Sequence, residues 1–267
     1  AFMVAWEVMA LSSFFLVTTN HRIAEIRRAG YLYLLVAHIG AIAILLCFGV
    51  LQANTGDYTF ENMRAQSPTP FWASVAFLLA FFGFGAKAGI LPLHVWLPEA
   101  HPAAPSNISA LMSGVMIKTG IYGILRVTSF FQVTPPWWGW LILCLGLVSG
   151  IVGVAFAIAQ HDIKRLLAYH SIENIGIILI GAGSAMLGRS YGLEAIAVLG
   201  MAGALLHVIN HGLFKGLLFL SAGSMIHATA TRQMAAYGGL ARAMPLTALF
   251  FLGGAIAICG LPPLNGF

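Results

Sequence analysis

The chain has 267 residues, of which 60% are hydrophobic and only 8% are charged, and its mean hydropathy is +0.90. A soluble domain carries about 25% charged residues, so this chain has too few polar groups to cover a surface that faces water. We therefore expect it to lie in a lipid bilayer. Its formal charge of +5 is small and dispersed, which argues against a nucleic-acid partner.

Apolar stretches long enough to cross a membrane, which takes roughly 17–25 residues, follow one another along the chain. The eight stretches cover residues 1–17, 30–51, 71–91, 106–128, 137–160, 166–187, 193–226 and 244–260. The seventh is too long for one regular span, so we expect it to tilt, to project from the membrane or to contain a break. The longest polar connection runs from Gln52 to Pro70, which leaves no room for a soluble domain. The sequence therefore predicts an all-α, polytopic transmembrane helical bundle.

The basic residues in the loops and near the ends of the spans indicate the orientation of the chain. The side that follows the first span holds seven of them, and the opposite side holds three. The seven are Arg22, Arg27, Arg28, Lys164, Arg165, Arg232 and Arg242, and the three are Arg64, Arg126 and Arg189. Because basic loops stay on the inner side of a membrane, the first side is predicted to face the cytoplasm or matrix.

A short internal repeat predicts two related units. Residues 89–93 read Gly-Ile-Leu-Pro-Leu and residues 260–264 read Gly-Leu-Pro-Pro-Leu, each at the end of a span, and each is preceded two spans earlier by a glutamate in the membrane. Paired helices interrupted by Gly and Pro mark the ion site in transporters built from repeats. The third and eighth spans cross the membrane in opposite directions, so the repeat is predicted to be inverted.

Ionisable residues within the spans are the candidate functional groups, because each costs roughly 2.5–3.5 kcal/mol to insert into the bilayer. Glu7 lies between apolar residues, although it could also sit at the aqueous end of its span. Lys87 lies in a glycine-rich segment before Pro92; the alternative is a lysine that reaches back to the interface. Lys118 lies twelve residues into the fourth span, near mid-depth, and is the strongest single candidate.

Three further candidates share one face of the seventh span. His207, His211 and Lys215 are spaced by four residues, which favours a polar stripe that lines internal water. Packing histidines are an alternative, whereas a metal site is not expected because no carboxylate or thiolate ligand lies nearby. Glu173, about two turns into the sixth span, is a candidate proton site of the second unit. Asp162, Lys164 and Arg165, just before it, are predicted to form a charge cluster at the interface.

The connection after the third span is punctuated by prolines and contains His94, Glu99 and His101. These residues are predicted either to give protons access from the cytoplasm or simply to stiffen the turn. The three cysteines, Cys47, Cys144 and Cys259, lie in apolar runs without a close-spaced motif, so we expect core residues rather than metal ligands.

Several motifs together resemble the antiporter-like proton-conducting membrane subunits of respiratory complex I, Mrp-type sodium/proton antiporters and group-four membrane-bound hydrogenases. Residues 92–106 read Pro-Leu-His-Val-Trp-Leu-Pro-Glu-Ala-His-Pro-Ala-Ala-Pro-Ser, and residues 116–123 read Met-Ile-Lys-Thr-Gly-Ile-Tyr-Gly. Residues 6–7, 161–169, 210–216 and 260–267 fit as well. Residues 169–177, with Glu173, most resemble the large antiporter-like subunit of formate hydrogenlyase and its hydrogenase relatives.

The resemblance implies a fourteen-span subunit with two inverted five-span repeats, of which this chain is a fragment. Residues 1–128 would be the end of the first repeat and residues 137–267 most of the second. Both chain ends look like cuts within a longer protein. Glu7 matches the carboxylate paired with the broken-helix lysine, here Lys87; Lys118 matches the central lysine and His211 a connecting polar position. The family's further Lys or Glu would follow Phe267.

The sequence thus predicts a proton-translocating subunit of a redox-driven complex, located as a multi-pass protein in a bacterial or archaeal cytoplasmic membrane. Its partners would be other membrane-arm subunits and a peripheral hydrogenase or NADH dehydrogenase module. The chain has no flavin, haem, iron–sulfur or nucleotide motif, so we expect no cofactor and no electron transfer in it. A Mrp-type sodium/proton antiporter subunit and a non-conducting membrane scaffold are the alternatives; a solute-uptake carrier is a third.

Overall fold

A computed structural model describes residues 1–53, 57–65 and 68–266. Parts of the predicted connection from Gln52 to Pro70, and Phe267 at the end of the second motif, lie outside the described residues. Within these ranges the chain is helical, and its one extended pairing is an isolated bridge between Asp162 and Gln233. The predicted all-α membrane fold is confirmed.

The helices follow the predicted spans closely. In chain order they are α1 Phe2–Val17, α2 Ala24–Gln52, α3 Phe60–Ala65, α4 Pro70–Ala88, α5 Leu97–Ala103, α6 Ser106–Leu111, α7 Ile117–Thr128, α8 Pro136–Ile158, α9 Ile163–Ser190, α10 Glu194–Thr229, α11 Leu240–Ala243 and α12 Pro245–Ile258. In the part of the chain that the structure describes, six spans are long and apolar enough to cross a membrane, while α1 and α12 are shorter apolar helices. The fourth span is α6 and α7 joined by a π-helical segment, Met112–Met116.

The seventh span is one continuous helix. α10 has 36 residues without an interruption, so the expectation of a break is wrong. At a rise of 1.5 Å per residue it is about 54 Å long, well beyond the roughly 30 Å of the hydrocarbon core. Tilt or projection therefore accommodates its length.

The predicted interruption after the third span is present. α4 ends at Ala88, and Gly89 follows in the left-handed region with φ 75°. A Cβ atom at Gly89 would overlap the side chain of Leu97, so both the backbone angle and the space require glycine. The indole of Trp96 donates to the carbonyl of Ala86 at 2.9 Å and so satisfies an oxygen that the break leaves free.

The second interruption repeats this backbone. α12 ends at Ile258, Gly260 has φ 67°, and the Pro262–Pro263 bond is cis, as is Leu91–Pro92 in the first break. Both breaks also contain the same two hydrogen bonds, one from the residue after the glycine to the carbonyl five residues earlier and one closing the following turn. The assignment of residues 1–128 and 137–267 to two repeats stays a prediction.

Small residues bring the helices into close contact. The contact between α8 and α9 is the most extensive in the bundle, and an ideal Cβ at Gly176 would lie 2.6 Å from the Gly146 carbonyl oxygen and 2.6 Å from the Gly150 nitrogen. Such backbone contacts stabilise membrane helices, because lipid provides no hydrophobic drive for their association. The contact fixes α9, which carries Glu173, against α8.

The three cysteines differ in burial. Cys47 is fully buried in α2, so the prediction of a core position is confirmed for it. The prediction is wrong for Cys144 and Cys259, which are exposed because they lie on the outward faces of apolar segments. In a membrane protein an outward apolar residue contacts lipid, so hydrophobicity alone does not place a cysteine in the core.

We predict that Gly176→Ala destabilises the protein by about 1–3 kcal/mol, since the new methyl group must push α8 and α9 apart. The matched control is Gly150→Ala in α8, where an added Cβ meets nothing within 4 Å. Thermal unfolding of both variants in detergent measures the difference. Equal unfolding temperatures for the two variants would contradict the packing argument.

Candidate functional site

All four lysines of the chain are buried. Their exposed fractions are 3% for Lys87, 8% for Lys118, 3% for Lys164 and 0% for Lys215. An ammonium group in an apolar interior is expensive unless polar atoms surround it. Each of the four donates a hydrogen bond to an oxygen inside the bundle, and the arrangement of these oxygens defines the candidate site.

Lys87 lies just before the first break and points inward. Its Nζ donates to the hydroxyl of Tyr33 in α2 at 2.8 Å, and that hydroxyl donates to the carbonyl of Ala10 in α1 at 3.2 Å. The Nζ also lies 4.9 Å from the ring centroid of Tyr33 and 5.9 Å from that of Trp6. Aromatic faces attract a cation in such a desolvated place. The alternative of a lysine that reaches back to the interface is therefore wrong.

Glu7 does not bind Lys87 directly. In the described part of the chain, the ion-pair partner of its carboxylate is His38 of α2, at 3.6 Å, and the Glu7 side chain is 33% exposed. The direct pairing implied by the resemblance is thus absent from this structure, because Tyr33 binds the Lys87 ammonium and Glu7 turns towards His38. Glu7 remains within electrostatic range of Lys87.

Lys118 follows the π-helical segment Met112–Met116, and its Nζ donates to the carbonyl of Ser113 within that segment. A π-turn opens the regular helical hydrogen bonding and is often found at functional sites. The Ser113 hydroxyl lies 2.8 Å from the hydroxyl of Ser171 in α9. The segment thus gives the lysine an acceptor and joins the fourth span to the sixth.

Lys215, His211 and His207 lie along the inward side of α10. The Nζ of Lys215 donates to the carbonyl of Leu167 at 2.6 Å. His211 is fully buried, and neither ring nitrogen has a hydrogen-bond partner among the described residues. His207 is partly buried, and its Nε2 lies 2.9 Å from the Oδ1 of Asn174. The two imidazoles are nearly parallel, with centroids 6.3 Å apart.

Glu173 joins this group through its neighbours in α9. Its carboxylate lies 2.5 Å from the Nδ1 of His170, and the Asn174 amide donates to the His170 carbonyl at 2.7 Å. Glu173 is 18% exposed and lies within electrostatic range of Lys215. α9 therefore places a carboxylate, an amide and an imidazole beside the histidines of α10.

The three residues of the proline-rich connection lie in different surroundings. Glu99 is half exposed and pairs with Arg165 at 2.5 Å. His101 is fully buried, stacks on Phe219 of α10 with centroids 4.8 Å apart, and has no hydrogen-bond partner in the described ranges. His94 is partly buried in the turn after the break. They do not form one cluster, because α5 turns Glu99 outward and His101 inward.

The predicted charge cluster at the interface is wrong for Lys164, which is buried. Asp162 caps α9 by accepting bonds from the backbone nitrogens of Lys164 and Arg165, and it pairs with Arg232 at 3.2 Å. Since the cap fixes the first turn of α9, Lys164 points inward and donates to the carbonyl of Ala104. It also lines a cleft of about 720 Å³ on the side predicted to face the cytoplasm.

Sequence reasoning missed the hydroxyl and amide residues that hold the charged groups. Tyr33, Ser113, Ser171 and Asn174 are buried and bind the candidate residues, but none of them is ionised at neutral pH. A polar residue within an apolar run could have indicated these positions, although it stands out less in the sequence than a charged residue does. Among the described residues, no three His, Cys, Asp or Glu side chains lie together as metal ligands.

The comparison with protein families decides the class of this chain. The family described as NADH:quinone oxidoreductase/Mrp antiporter, TM, matches residues 1–267. The chain belongs to this family. The predicted resemblance is confirmed.

Two curated relatives are similar over the whole of this chain. Hydrogenase-4 component B of Escherichia coli (strain K12) is 50% identical over 269 residues, which cover 100% of this chain and 40% of that protein. Formate hydrogenlyase subunit 3 of the same organism is 39% identical over 268 residues, which cover 100% of this chain and 43% of the relative. The chain thus spans about two fifths of the length of these relatives.

A solved structure has the same fold. The Mrp complex from Dietzia sp. DQ12-45-1b matches with a TM-score of 0.87 and 31% sequence identity, over 99% of this chain and 28% of the matched chain. The helical arrangement described above is therefore shared with a chain of that complex.

We predict that Tyr33→Phe destabilises the protein by about 1–3 kcal/mol, because it removes the acceptor of a buried ammonium group. The control is Tyr122→Phe, whose hydroxyl accepts a bond from Arg126 on an exposed face and should cost less than about 0.5 kcal/mol. Unfolding temperatures of the purified variants measure both effects. A Tyr33→Phe protein as stable as the control would rule out a supporting role for this hydroxyl.

Proposed function

We propose that this chain is part of a proton-translocating membrane subunit in a redox-driven complex of the hydrogenase type. The observation that carries the proposal is the burial of all four lysines, each bound to an internal oxygen. A scaffold has no use for groups that are so costly to bury. Ammonium groups held in a row, by contrast, can take up and release protons as their partners change.

The first step of the proposed pathway involves Glu7 and Lys87. Glu7 is partly exposed and paired with His38, while Lys87 is bound to Tyr33, so both have alternative partners close at hand. In the proposed step the Glu7 carboxylate moves between His38 and Lys87, so the Lys87 ammonium changes its partner. The Tyr33 hydroxyl also approaches the sulfur of Met116 in the π-helical segment, at 3.7 Å, on the way to Lys118.

The second step runs from Lys118 to the residues of α9 and α10. His211, buried and without a hydrogen-bond partner among the described residues, is within electrostatic range of both Lys118 and Lys215. Histidine exchanges protons near neutral pH and suits a connecting role. His207, Asn174 and Glu173 extend the row, and Glu173 supplies a carboxylate at this end.

Protons would reach this row from the cytoplasmic side through the cleft beside Lys164. The cleft is lined by Glu99, Lys164 and Arg165, and buried His101 is within electrostatic range of Lys164 and of Lys215. A buried imidazole with both nitrogens unbonded within the described part of the chain can receive a proton from one side and pass it to the other. Glu99 then belongs to the mouth of the cleft rather than to the relay.

The relatives support a hydrogenase as the redox partner. Two are named as parts of hydrogenase-4 and formate hydrogenlyase, so we propose membrane-arm partners and a peripheral hydrogenase module for this chain, in a bacterial or archaeal cytoplasmic membrane. A NADH dehydrogenase module is the alternative given by the family description. This chain would supply the ion pathway and no electron carrier.

A Mrp-type antiporter subunit that exchanges sodium for protons is the second candidate. The likeness to a chain of the Mrp complex from Dietzia favours it. The residues of the row do not separate the two ions, because carboxylates and carbonyls can bind sodium as well as protons. Replacing sodium by choline in a transport assay separates them: proton movement that stops without sodium would favour the antiporter.

We predict that Lys118→Ala slows proton movement through the full-length protein in liposomes by at least about tenfold, because it removes the central proton carrier. A potassium-diffusion potential supplies the driving force, and a pH-sensitive dye inside the vesicles measures the rate. Arg242→Gln, a change of an exposed charge, is the control and should leave the rate unchanged. Normal proton movement in an assembled Lys118→Ala protein would instead favour the scaffold.

We also predict that His101→Phe slows proton movement by about tenfold, since an aromatic ring keeps the stacking on Phe219 but loses both nitrogens. His227→Phe, at an exposed position of α10, is the matched control. The same liposome assay measures both. Equal rates for the two variants would show that protons do not enter through His101.

A further inference from the structure

Two buried serines connect the surroundings of Lys118 and Lys215. The hydroxyls of Ser113, in the π-helical segment, and Ser171, in α9, are 2.8 Å apart, and both residues are fully buried. The Ser113 carbonyl accepts the bond from Lys118, and the Ser171 hydroxyl donates to the Leu167 carbonyl at 3.1 Å. That carbonyl also accepts the bond from Lys215.

Lys118 and Lys215 are thus each linked to the serine pair through a single carbonyl group. Lys118 binds the main chain of the residue whose side chain is the first hydroxyl, and Lys215 shares its acceptor with the second hydroxyl. A turn of each ammonium from its carbonyl to the neighbouring hydroxyl closes a continuous chain of hydrogen bonds.

The hydroxyl pair has the chemistry for a relay. A serine hydroxyl has one proton to donate and lone pairs to accept, so it can receive one proton and give up another in the same step. The hydrogen bonds run in one direction. The Ser171 hydroxyl donates its proton to the carbonyl of Leu167, so its oxygen accepts the bond from the Ser113 hydroxyl. This sets a defined order along the chain.

We propose that Ser113 and Ser171 form a hydroxyl bridge that carries protons between Lys118 and Lys215. An N–H bond of the Lys118 ammonium breaks as its proton joins the Ser113 oxygen. The Ser113 proton passes to Ser171, and the Ser171 proton forms an N–H bond with the neutral amine of Lys215. The net change is one proton moved from Lys118 to Lys215, with both hydroxyls restored. This inference rests on the proposed function.

The bridge also explains the position of the π-helical segment. The extra residue in a π-turn rotates the helix that follows, so the same segment presents the Ser113 carbonyl to Lys118 and the Ser113 hydroxyl to α9. The close contact between α8 and α9 fixes Ser171 from the other side, since α9 cannot move away without losing its glycine packing. Both hydroxyls are therefore held in place by main-chain geometry.

The test uses two variants of nearly equal shape, Ser171→Thr and Ser171→Val, in the full-length protein assembled in liposomes. Both add volume at a buried position, but only threonine keeps a hydroxyl. The valine methyl groups also exclude a water molecule that could replace the missing oxygen. We expect Ser171→Val to move protons at least about tenfold more slowly than Ser171→Thr under the same potassium-diffusion potential.

Two further proteins complete the design. Thr128→Val removes another buried hydroxyl of the fourth span, which donates to the carbonyls of Ile124 and Leu125 in its own helix, and should retain the wild-type rate. Lys118→Ala reports separately on the proposed function. If Lys118→Ala abolishes proton movement while Ser171→Val and Ser171→Thr have equal rates, the bridge is overturned and the proposed function stands. If Lys118→Ala moves protons normally, the proposed function itself fails.

Discussion

The structure depends on the need to give every buried ammonium group an oxygen. Most carbonyls of a regular helix are already bonded within the helix, so free acceptors are scarce in a membrane bundle. Three of the four lysines find acceptors in a tyrosine hydroxyl, at the end of α5 and in the π-helical segment. Lys215 instead shares the carbonyl of Leu167 in α9 with the hydroxyl of Ser171. Irregular backbone and shared acceptors together keep the buried lysines bonded.

The spans and the first interruption could be predicted from sequence, because their signals are local. A long apolar run predicts a membrane helix from composition alone, and the bounds of α4 and α8 differ from prediction by one to three residues. Gly89 and Pro92 mark the break by their own backbone preferences. The burial of Lys118 and Lys215 follows in the same way, since each lies far from the ends of its span.

The partners of these residues could not be predicted, because they depend on how helices pack. Glu7 faces His38 rather than Lys87, and this choice is made by the rotation of α1 against α2. Lys164 looks interfacial in sequence, since it adjoins Asp162 and Arg165, yet the helix cap turns it inward. The predicted burial of Cys144 and Cys259 was wrong for a related reason. Composition does not distinguish a helix face that contacts lipid from one that contacts protein.

The length of α10 has a mechanical consequence. The turn beyond its end is tied to two other elements, because Arg232 binds Asp162 at the start of α9 and the carbonyl of Pro102 in α5. A rigid rod that carries Lys215 in its middle is thus anchored at its tip to the helix that carries His101. Because a continuous helix transmits displacement along its axis, any movement of this anchored tip is shared by Lys215, deep in the bundle, and by the helix that carries buried His101.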